Sequence, residues 1–189
     1  MNWERNPRIR IAAALLRCGE VIAYPTEAVW GLGCDPQDGG AVETILAIKG
    51  RSAAKGLILI AASSAQLKPY VENLSPEEVA RLEEAGPLPI TWIVPAARFA
   101  PHWITGGRAT VAVRITRHGF AAALCRAFGG ALVSTSANPQ GKTPATNALR
   151  VRQYFRDAPL HIVSGPLGGA QKPSEIRDLR SGEVLRPGG

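Results

Sequence analysis

Short apolar segments alternate with amphipathic segments along most of the chain, and this alternation limits the possible folds more than any other sequence feature. Helical periodicity predicts helices at residues 7–18, 38–49, 120–128 and 146–155, and Ser75 has the features of a cap that opens another. Apolar runs predict strands at residues 21–24, 57–61, 90–94, 110–115, 131–133, 160–163 and 183–185. We therefore expect one α/β domain with a mixed sheet.

The composition favours a protein without membrane spans or disulfides. Hydrophobic residues make up 46% of the 189 residues, and the longest apolar run, 57–62, is far shorter than the ~18 residues of a membrane span. The apolar run 11–16 ends at Arg17 without a signal-peptide cleavage site, so we expect the protein to begin near Met1 and to be cytoplasmic. Its three cysteines and three histidines are scattered, which argues against a disulfide framework and against a metal site built from protein side chains.

Positive charge is concentrated in the second half of the chain. The net charge is +7, with 9 Lys and Arg against 11 Asp and Glu in residues 1–95, and 13 against 4 in residues 96–189. Such an excess suits a surface or cavity that faces a polyanion, either a nucleotide or a nucleic acid. A basic surface that serves only solubility would look the same in the sequence.

Four polar segments could carry chemistry, because ligands of open α/β sheets bind where strands end. They cover residues 24–27, 49–52, 110–114 and 134–138. Residues 134–138 offer three hydroxyls and one amide, which suits a phosphate, although this composition is also common in turns. Lys49 and Arg51 suit a triphosphate or a carboxylate, although cations also favour a helix C-terminus. Both alternatives stay open at this level.

Taken together, five segments resemble the YrdC-like family of threonylcarbamoyl-adenylate synthases in its short bacterial form. They are residues 23–35, 55–62, 110–114, 132–138 and 173–178, and the similarity extends from Ile11 to Arg186. The resemblance implies one YrdC-like domain over residues 1–189, with a core of about 9–186, in which a twisted mixed sheet flanked by helices encloses a basic cavity.

The resemblance also implies a reaction. L-Threonine, bicarbonate and ATP would give threonylcarbamoyl-adenylate and pyrophosphate, with Mg²⁺ accompanying the ATP. Partner enzymes would then transfer the threonylcarbamoyl group to the adenosine beside the anticodon of tRNA. A carbamate can attack the α-phosphorus without a dedicated general base, so the reaction requires mainly positioning and neutralisation of phosphate charge.

The family pattern suggests a role for each of nine residues. Those that would act on the ATP phosphates and the departing pyrophosphate are Lys49, Arg51, Ser136 and Asn138. A further contact to ATP would come from Thr110. The threonine pocket would be lined by Thr26, Arg114, Ser134 and Ser174, with Arg114 binding the carboxylate.

Three positions differ from the family pattern, all of them relevant to the amino acid. Ala28 stands where many members have threonine, Ile60 where long members have a histidine that contacts threonine, and Leu88 where a glycine is common. The alternative to the enzyme is a non-catalytic factor for double-stranded RNA or ribosome maturation, which the basic second half would also suit. Such a factor would not need the pairs Lys49 and Arg51, and Ser136 and Asn138, together.

Overall fold

Local capping signals start the helices where the sequence predicts them. The computed structural model describes residues 3–84, 86, 88–170 and 174–188. Asn6 caps the first helix by accepting a hydrogen bond from the Arg8 amide at 2.9 Å. Ser75 and Glu78 form a reciprocal capping box on the third helix. Pro173, the first residue of the segment 173–178, lies outside the described residues, as does Pro87, which precedes Leu88.

The described residues form six α-helices and nine strands. The helices are α1 (Pro7–Arg17), α2 (Gly39–Lys49), α3 (Pro76–Glu83), α4 (His102–Thr105), α5 (Gly119–Phe128) and α6 (Ala148–Tyr154). The strands are β1 (Ile22–Pro25), β2 (Trp30–Gly33), β3 (Ile58–Ala61), β4 (Ile90–Pro95), β5 (Thr110–Ile115), β6 (Leu132–Ser136), β7 (His161–Ile162), β8 (Glu175–Asp178) and β9 (Val184–Arg186). The predicted helices and strands are thus confirmed, with ends that differ by at most three residues.

The strands form one mixed sheet in the order β7-β1-β2-β6-β3-β5-β4-β8-β9. Three neighbouring pairs are parallel, namely β1 with β7, β3 with β5 and β4 with β8. The remaining neighbours are antiparallel. The expected mixed sheet with flanking helices is therefore confirmed.

Two strands were absent from the sequence prediction, and a third is longer than predicted. The missed strands are β2, which contains Gly31 and Gly33, and β8, which contains three charged residues. The apolar run 131–133 predicts a strand that ends before Ser134, whereas β6 continues to Ser136. It continues because it has pairing partners on both sides, Ile58 opposite Ser134 and Gly31 opposite Ser136.

The core lies on both faces of the sheet, because successive side chains of a strand point to opposite faces. One face packs under α2 and buries Leu32, Leu59 and Val133. The other face is covered by α1 and α5 over only part of its area, where Ile60 and Leu132 are fully buried. The rest of that second face borders a cavity.

Candidate active site

A cavity of about 330 Å³ opens on the uncovered part of this second face. Six of the nine predicted site residues line it: Thr26, Arg51, Arg114, Ser134, Ser136 and Ser174. The cavity is also lined by Glu27 and Arg186, so three arginines and one glutamate contribute charge to its wall. Segments that are more than 100 residues apart in the chain thus meet around one space large enough for a small polar ligand.

The sheet positions the polar side chains of this wall. Ser134 pairs with Ile58 of β3, and Ser136 pairs with Gly31 of β2, so their side chains share the face that borders the cavity. A side chain at position 31 would narrow this space, because its Cβ would lie 3.2 Å from Thr26 Cγ2 and 3.5 Å from Ser134 Oγ. A glycine at this position therefore keeps the cavity open beside both residues.

Lys49 reaches the loop after β6 from the end of α2. Its ammonium donates to the backbone carbonyls of Ser136 and of Asn138, the latter at 2.7 Å. The Asn138 amide in turn donates to the carbonyls of Pro139 at 3.0 Å and Lys142 at 2.7 Å. The two predicted pairs therefore do come together, although Lys49 and Asn138 hold the backbone of the loop and do not line the cavity.

Burial changes the charge behaviour of Lys49. Its side chain is almost completely enclosed, and this burial, together with the neighbouring Arg51 guanidinium, lowers the pKa of Lys49 to about 8. The ammonium is therefore charged near neutral pH but close enough to its pKa to lose its proton in mildly alkaline solution.

Arg51 lines the cavity directly. Gly50 ends α2 in the left-handed conformation, with φ 61°, and this turn brings Arg51 to the cavity wall. Its Nη2 donates to the Gly56 carbonyl at 2.9 Å, whereas its buried Nε has no hydrogen-bond partner among the described residues. A guanidinium with an unused donor at a cavity wall is suited to an anionic ligand.

Arg114 forms an ion pair inside the cavity. Its Nη2 lies 3.3 Å from Glu27 Oε2, and Thr116 Oγ1 donates to Glu27 Oε1 at 2.7 Å. Burial favours the neutral form of Glu27, but the Arg114 charge and the Thr116 hydroxyl outweigh it and lower the pKa of this carboxyl below its usual range. Glu27 is therefore ionised near neutral pH.

Two hydroxyls of the predicted threonine pocket form hydrogen bonds with buried residues outside the cavity wall. The fully buried Tyr24 donates to Ser134 Oγ at 3.0 Å, so the Ser134 proton is free for another acceptor. Ser174 Oγ and the buried Thr91 Oγ1 lie 2.8 Å apart and share a hydrogen bond. The third hydroxyl, Thr26 Oγ1, donates to the Val29 carbonyl at 2.7 Å.

Thr110, the predicted further contact to ATP, is the first residue of β5. It lies opposite Pro95 and precedes Arg114 by four residues on the same side of the strand. It does not line the cavity. Ile60, which aligns with the histidine of long members, is fully buried beneath α1 and α5 and does not line it either.

Three functional candidates were missed by sequence reasoning. Glu27 stands inside the first signature segment but has no individual role in the prediction. Arg186 ends β9, and its Nη2 donates to the Ser174 carbonyl at 2.8 Å, which brings the last strand to the cavity. Tyr24 could not be recognised as a functional residue from the sequence, because its ring is buried in the core and only its hydroxyl contacts the site. The basic excess of the second half is the only sequence signal that points towards Arg186.

A second cavity of about 410 Å³ adjoins the first and shares Glu27 and Pro89 with it. Its wall is mainly apolar and includes Leu82, Ile90 and Trp92. Among the residues that the structure describes, no group of three His, Cys, Asp or Glu side chains could hold a metal ion. Within the same residues, no helix combines the length and the apolar character that a membrane crossing requires.

Comparison with known proteins agrees with this geometry. A family model for Sua5, YciO and YrdC, described as telomere recombination, matches residues 14–188. The chain belongs to the Sua5/YciO/YrdC family. Within this family it is 52% identical over 187 residues to a protein of Cellvibrio japonicus named threonylcarbamoyl-AMP synthase, covering 99% of both chains. It is 55% identical over 179 residues to a protein of the same name from Halorhodospira halophila, covering 95% of this chain and 94% of that one.

A solved structure of the family gives the same architecture. The crystal structure of P. abyssi Sua5 complexed with L-threonine superposes with a TM-score of 0.83 at 36% identity. The match covers 96% of this chain but 54% of Sua5, so this chain spans about half the length of that protein.

Proposed function

We infer that this chain is a threonylcarbamoyl-AMP synthase. It combines L-threonine, bicarbonate and ATP into L-threonylcarbamoyladenylate, pyrophosphate and water. The observation that carries this proposal is the identity of 52% and 55% to two proteins with that name, in alignments that cover at least 94% of each chain. The names of these relatives support the enzyme and do not support the RNA-binding alternative.

The chemistry we propose needs anion binding more than acid–base groups. Threonine and bicarbonate form a carbamate, whose oxygen attacks the α-phosphorus of ATP while the bond to pyrophosphate breaks. Catalysis then depends on alignment and on neutralising charge at the phosphates. In our proposal Arg51 and Ser136 contact the phosphates, and Lys49 and Asn138 hold the backbone that follows Ser136. Thr110, at the start of β5, contributes to ATP binding.

The amino acid is proposed to bind at the other end of the cavity. Arg114 lines the cavity there, its buried Nε has no hydrogen-bond partner among the described residues, and its planar guanidinium can bind the threonine carboxylate. Thr26, Ser134 and Ser174 lie around the same space and can hydrogen-bond the polar groups of threonine. P. abyssi Sua5 was solved as a complex with L-threonine, which supports threonine as the amino acid that binds.

Mg²⁺ is proposed to enter bound to the phosphates of ATP and not to a resident protein site. Glu27 is the carboxylate that lines the cavity, and it is already engaged by Arg114 and Thr116. Mg²⁺ commonly binds through substrate phosphates and water. We further propose that the adenylate is consumed in the cytoplasm by enzymes that transfer its threonylcarbamoyl group to tRNA.

Release of pyrophosphate tests the proposal. Purified protein is incubated with ATP and Mg²⁺, and L-threonine and bicarbonate are omitted in turn. Release should require both, and mass spectrometry should detect threonylcarbamoyladenylate. Release without threonine would indicate another acceptor, and no release under any condition would contradict the proposed activity.

A further inference from the structure

Glu27 is an unexpected residue in a cavity for anionic ligands. Its side chain is 13% exposed and lines the cavity together with Arg51, Arg114 and Arg186. ATP, bicarbonate and the threonine carboxylate all carry negative charge, so a fixed carboxylate in this wall opposes their binding. Such a residue requires a role of its own.

The structure holds Glu27 in its charged form and in one orientation. The Thr116 hydroxyl accepts from the His118 backbone N–H at 3.3 Å, so its own proton is free to point to Glu27 Oε1. Arg114 and Thr116 lower the pKa of Glu27 against the opposing effect of burial. The carboxylate is thus fixed as an anion beside Arg114.

The ion pair of Glu27 and Arg114 is not complete. Nη2 and Oε2 are 3.3 Å apart, but Glu27 Oε2 and Arg114 Nε are both buried without a hydrogen-bond partner among the described residues. One acceptor and one donor of opposite charge therefore remain unused side by side. A buried polar group without a hydrogen-bond partner costs free energy, and a ligand that bears both a donor and an acceptor removes this cost.

We propose that Glu27 is a specificity residue that selects the zwitterion of the amino acid, by binding its α-ammonium while Arg114 binds its α-carboxylate. This inference rests on the proposed function. The two charged groups of an α-amino acid are attached to one carbon atom, which matches two opposite charges in contact on the protein. A lone arginine would bind any anion, including a phosphate of ATP, whereas the pair discriminates against ligands that carry only negative charge.

The test compares threonine with an analogue that lacks the ammonium. Binding of L-threonine and of (2S,3R)-2,3-dihydroxybutanoate, which has a hydroxyl in place of the ammonium, is measured by calorimetry with the wild-type protein and with Glu27→Gln. The wild type should prefer threonine by about 10- to 100-fold, as expected for a hydrogen bond to a charged group. Glu27→Gln should lose most of this preference, mainly through weaker binding of threonine.

Two further variants separate recognition from general damage. Glu84→Gln makes the same change of charge at an exposed residue of the adjoining cavity and should keep the wild-type preference. Thr116→Val leaves the Glu27 charge in place but removes the hydroxyl that orients it, so the preference should fall by less than in Glu27→Gln. Thermal unfolding of each variant reports whether it is folded.

Each outcome separates the inference from the function on which it rests. An unchanged preference in a folded Glu27→Gln variant would overturn the inference. An equal loss of affinity for threonine and for the analogue would also overturn the inference, because Glu27 would then act only by holding Arg114. If the wild type nevertheless releases pyrophosphate in a threonine-dependent reaction, the proposed function stands without the inference. If the wild type binds no threonine, both are wrong.

Discussion

One half of the sheet face that packs against α1 and α5 is closed by these helices, and the other half is open to the cavity. The closed and the open half are separated by only two residues along each strand. On β3, Ile60 is fully buried under α1 and α5, whereas Ile58 lines the cavity. On β6, Leu132 is fully buried, whereas Ser134 lines the cavity. Ile60 pairs with Leu132 and Ile58 pairs with Ser134, so the boundary crosses both strands at the same level.

This arrangement connects the open half of the sheet face directly to the closed half. The helices α1 and α5 fix the closed half, and the backbone pairing of β3 and β6 carries this order into the open half two residues away. Tyr24 joins the halves directly, because its ring is packed in the closed half and its hydroxyl donates to Ser134 at 3.0 Å. The closed half should therefore supply stability, and the open half should supply binding.

The largest expected effect tests this division in the closed half. Leu132→Ala removes a side chain with no exposed area and leaves a cavity under α5, so the free energy of unfolding should fall by about 2–5 kcal/mol. Urea unfolding followed by circular dichroism measures it. The matched variant in the open half, Ser134→Ala, should lower this free energy by less, because it opens no large cavity and only removes the acceptor of the Tyr24 hydroxyl, and it should also weaken threonine binding. Equal losses of stability in the two variants would contradict the division.

The second effect concerns the open half. Arg51→Ala removes a fixed positive charge at the cavity wall and should reduce kcat/KM by the equivalent of about 2–4 kcal/mol, a typical loss for a preorganised donor. Pyrophosphate release at varied ATP concentration measures it. Arg152→Ala, an exposed arginine on α6, is the matched control and should be close to wild type. Near-normal turnover in Arg51→Ala would remove this residue from the mechanism.

The closed half was easier to predict from the sequence than the open half. Helices α1 and α5 follow from periodic apolar residues and from capping signals, and these are local properties of the chain. Strand β2 was missed because Gly31 and Gly33 interrupt its pattern, and glycine is uncommon in strands. Gly33 is nevertheless required there, since a Cβ would lie 2.8 Å from Tyr24 Cε1.

The predicted site residues were found through the resemblance to a family, but their contacts could not be predicted from the sequence. The sequence does not indicate that the Lys49 ammonium faces two backbone carbonyls, because these belong to residues 87 and 89 positions further along the chain. Ser134 and Ser136 were predicted to lie in a loop because they are polar, whereas they belong to the part of β6 that borders the cavity. These contacts depend on which strands and loops meet in the folded protein, and the local sequence does not specify this.

The third effect tests the link between the halves. Tyr24→Phe keeps the ring but removes the hydroxyl, so it should cost about 0.5–1.5 kcal/mol of stability and weaken threonine binding to a similar degree. Because Tyr24 acts through Ser134 in this view, the double variant with Ser134→Ala should bind threonine no more weakly than Ser134→Ala alone. Calorimetry on the four proteins measures this coupling, and additive losses would contradict it.

The smallest effect is a pH dependence of ATP binding through Lys49. The pKa of about 8 means that the folded protein loses this proton at a pH at which the unfolded chain keeps it. The contribution of Lys49 to stability should therefore rise as the pH increases from 8 towards the ordinary pKa of lysine, about 10.4. ATP binding should change in the opposite direction and weaken a few-fold above pH 8, because the charge that holds the loop of Ser136 is lost.

Calorimetry of ATP without threonine separates this effect from titration of the amino acid. In Lys49→Arg the charge is retained throughout this range, so the weakening above pH 8 should disappear if the guanidinium reaches the carbonyls of Ser136 and Asn138. Arg51 cannot cause the same pH dependence, since a guanidinium keeps its proton well above pH 8. ATP affinity that stays constant from pH 7 to pH 9.5 in the wild type would show that the charge of Lys49 does not contribute to phosphate binding. Its role would then be confined to the neutral hydrogen bonds that join the end of α2 to the loop after β6.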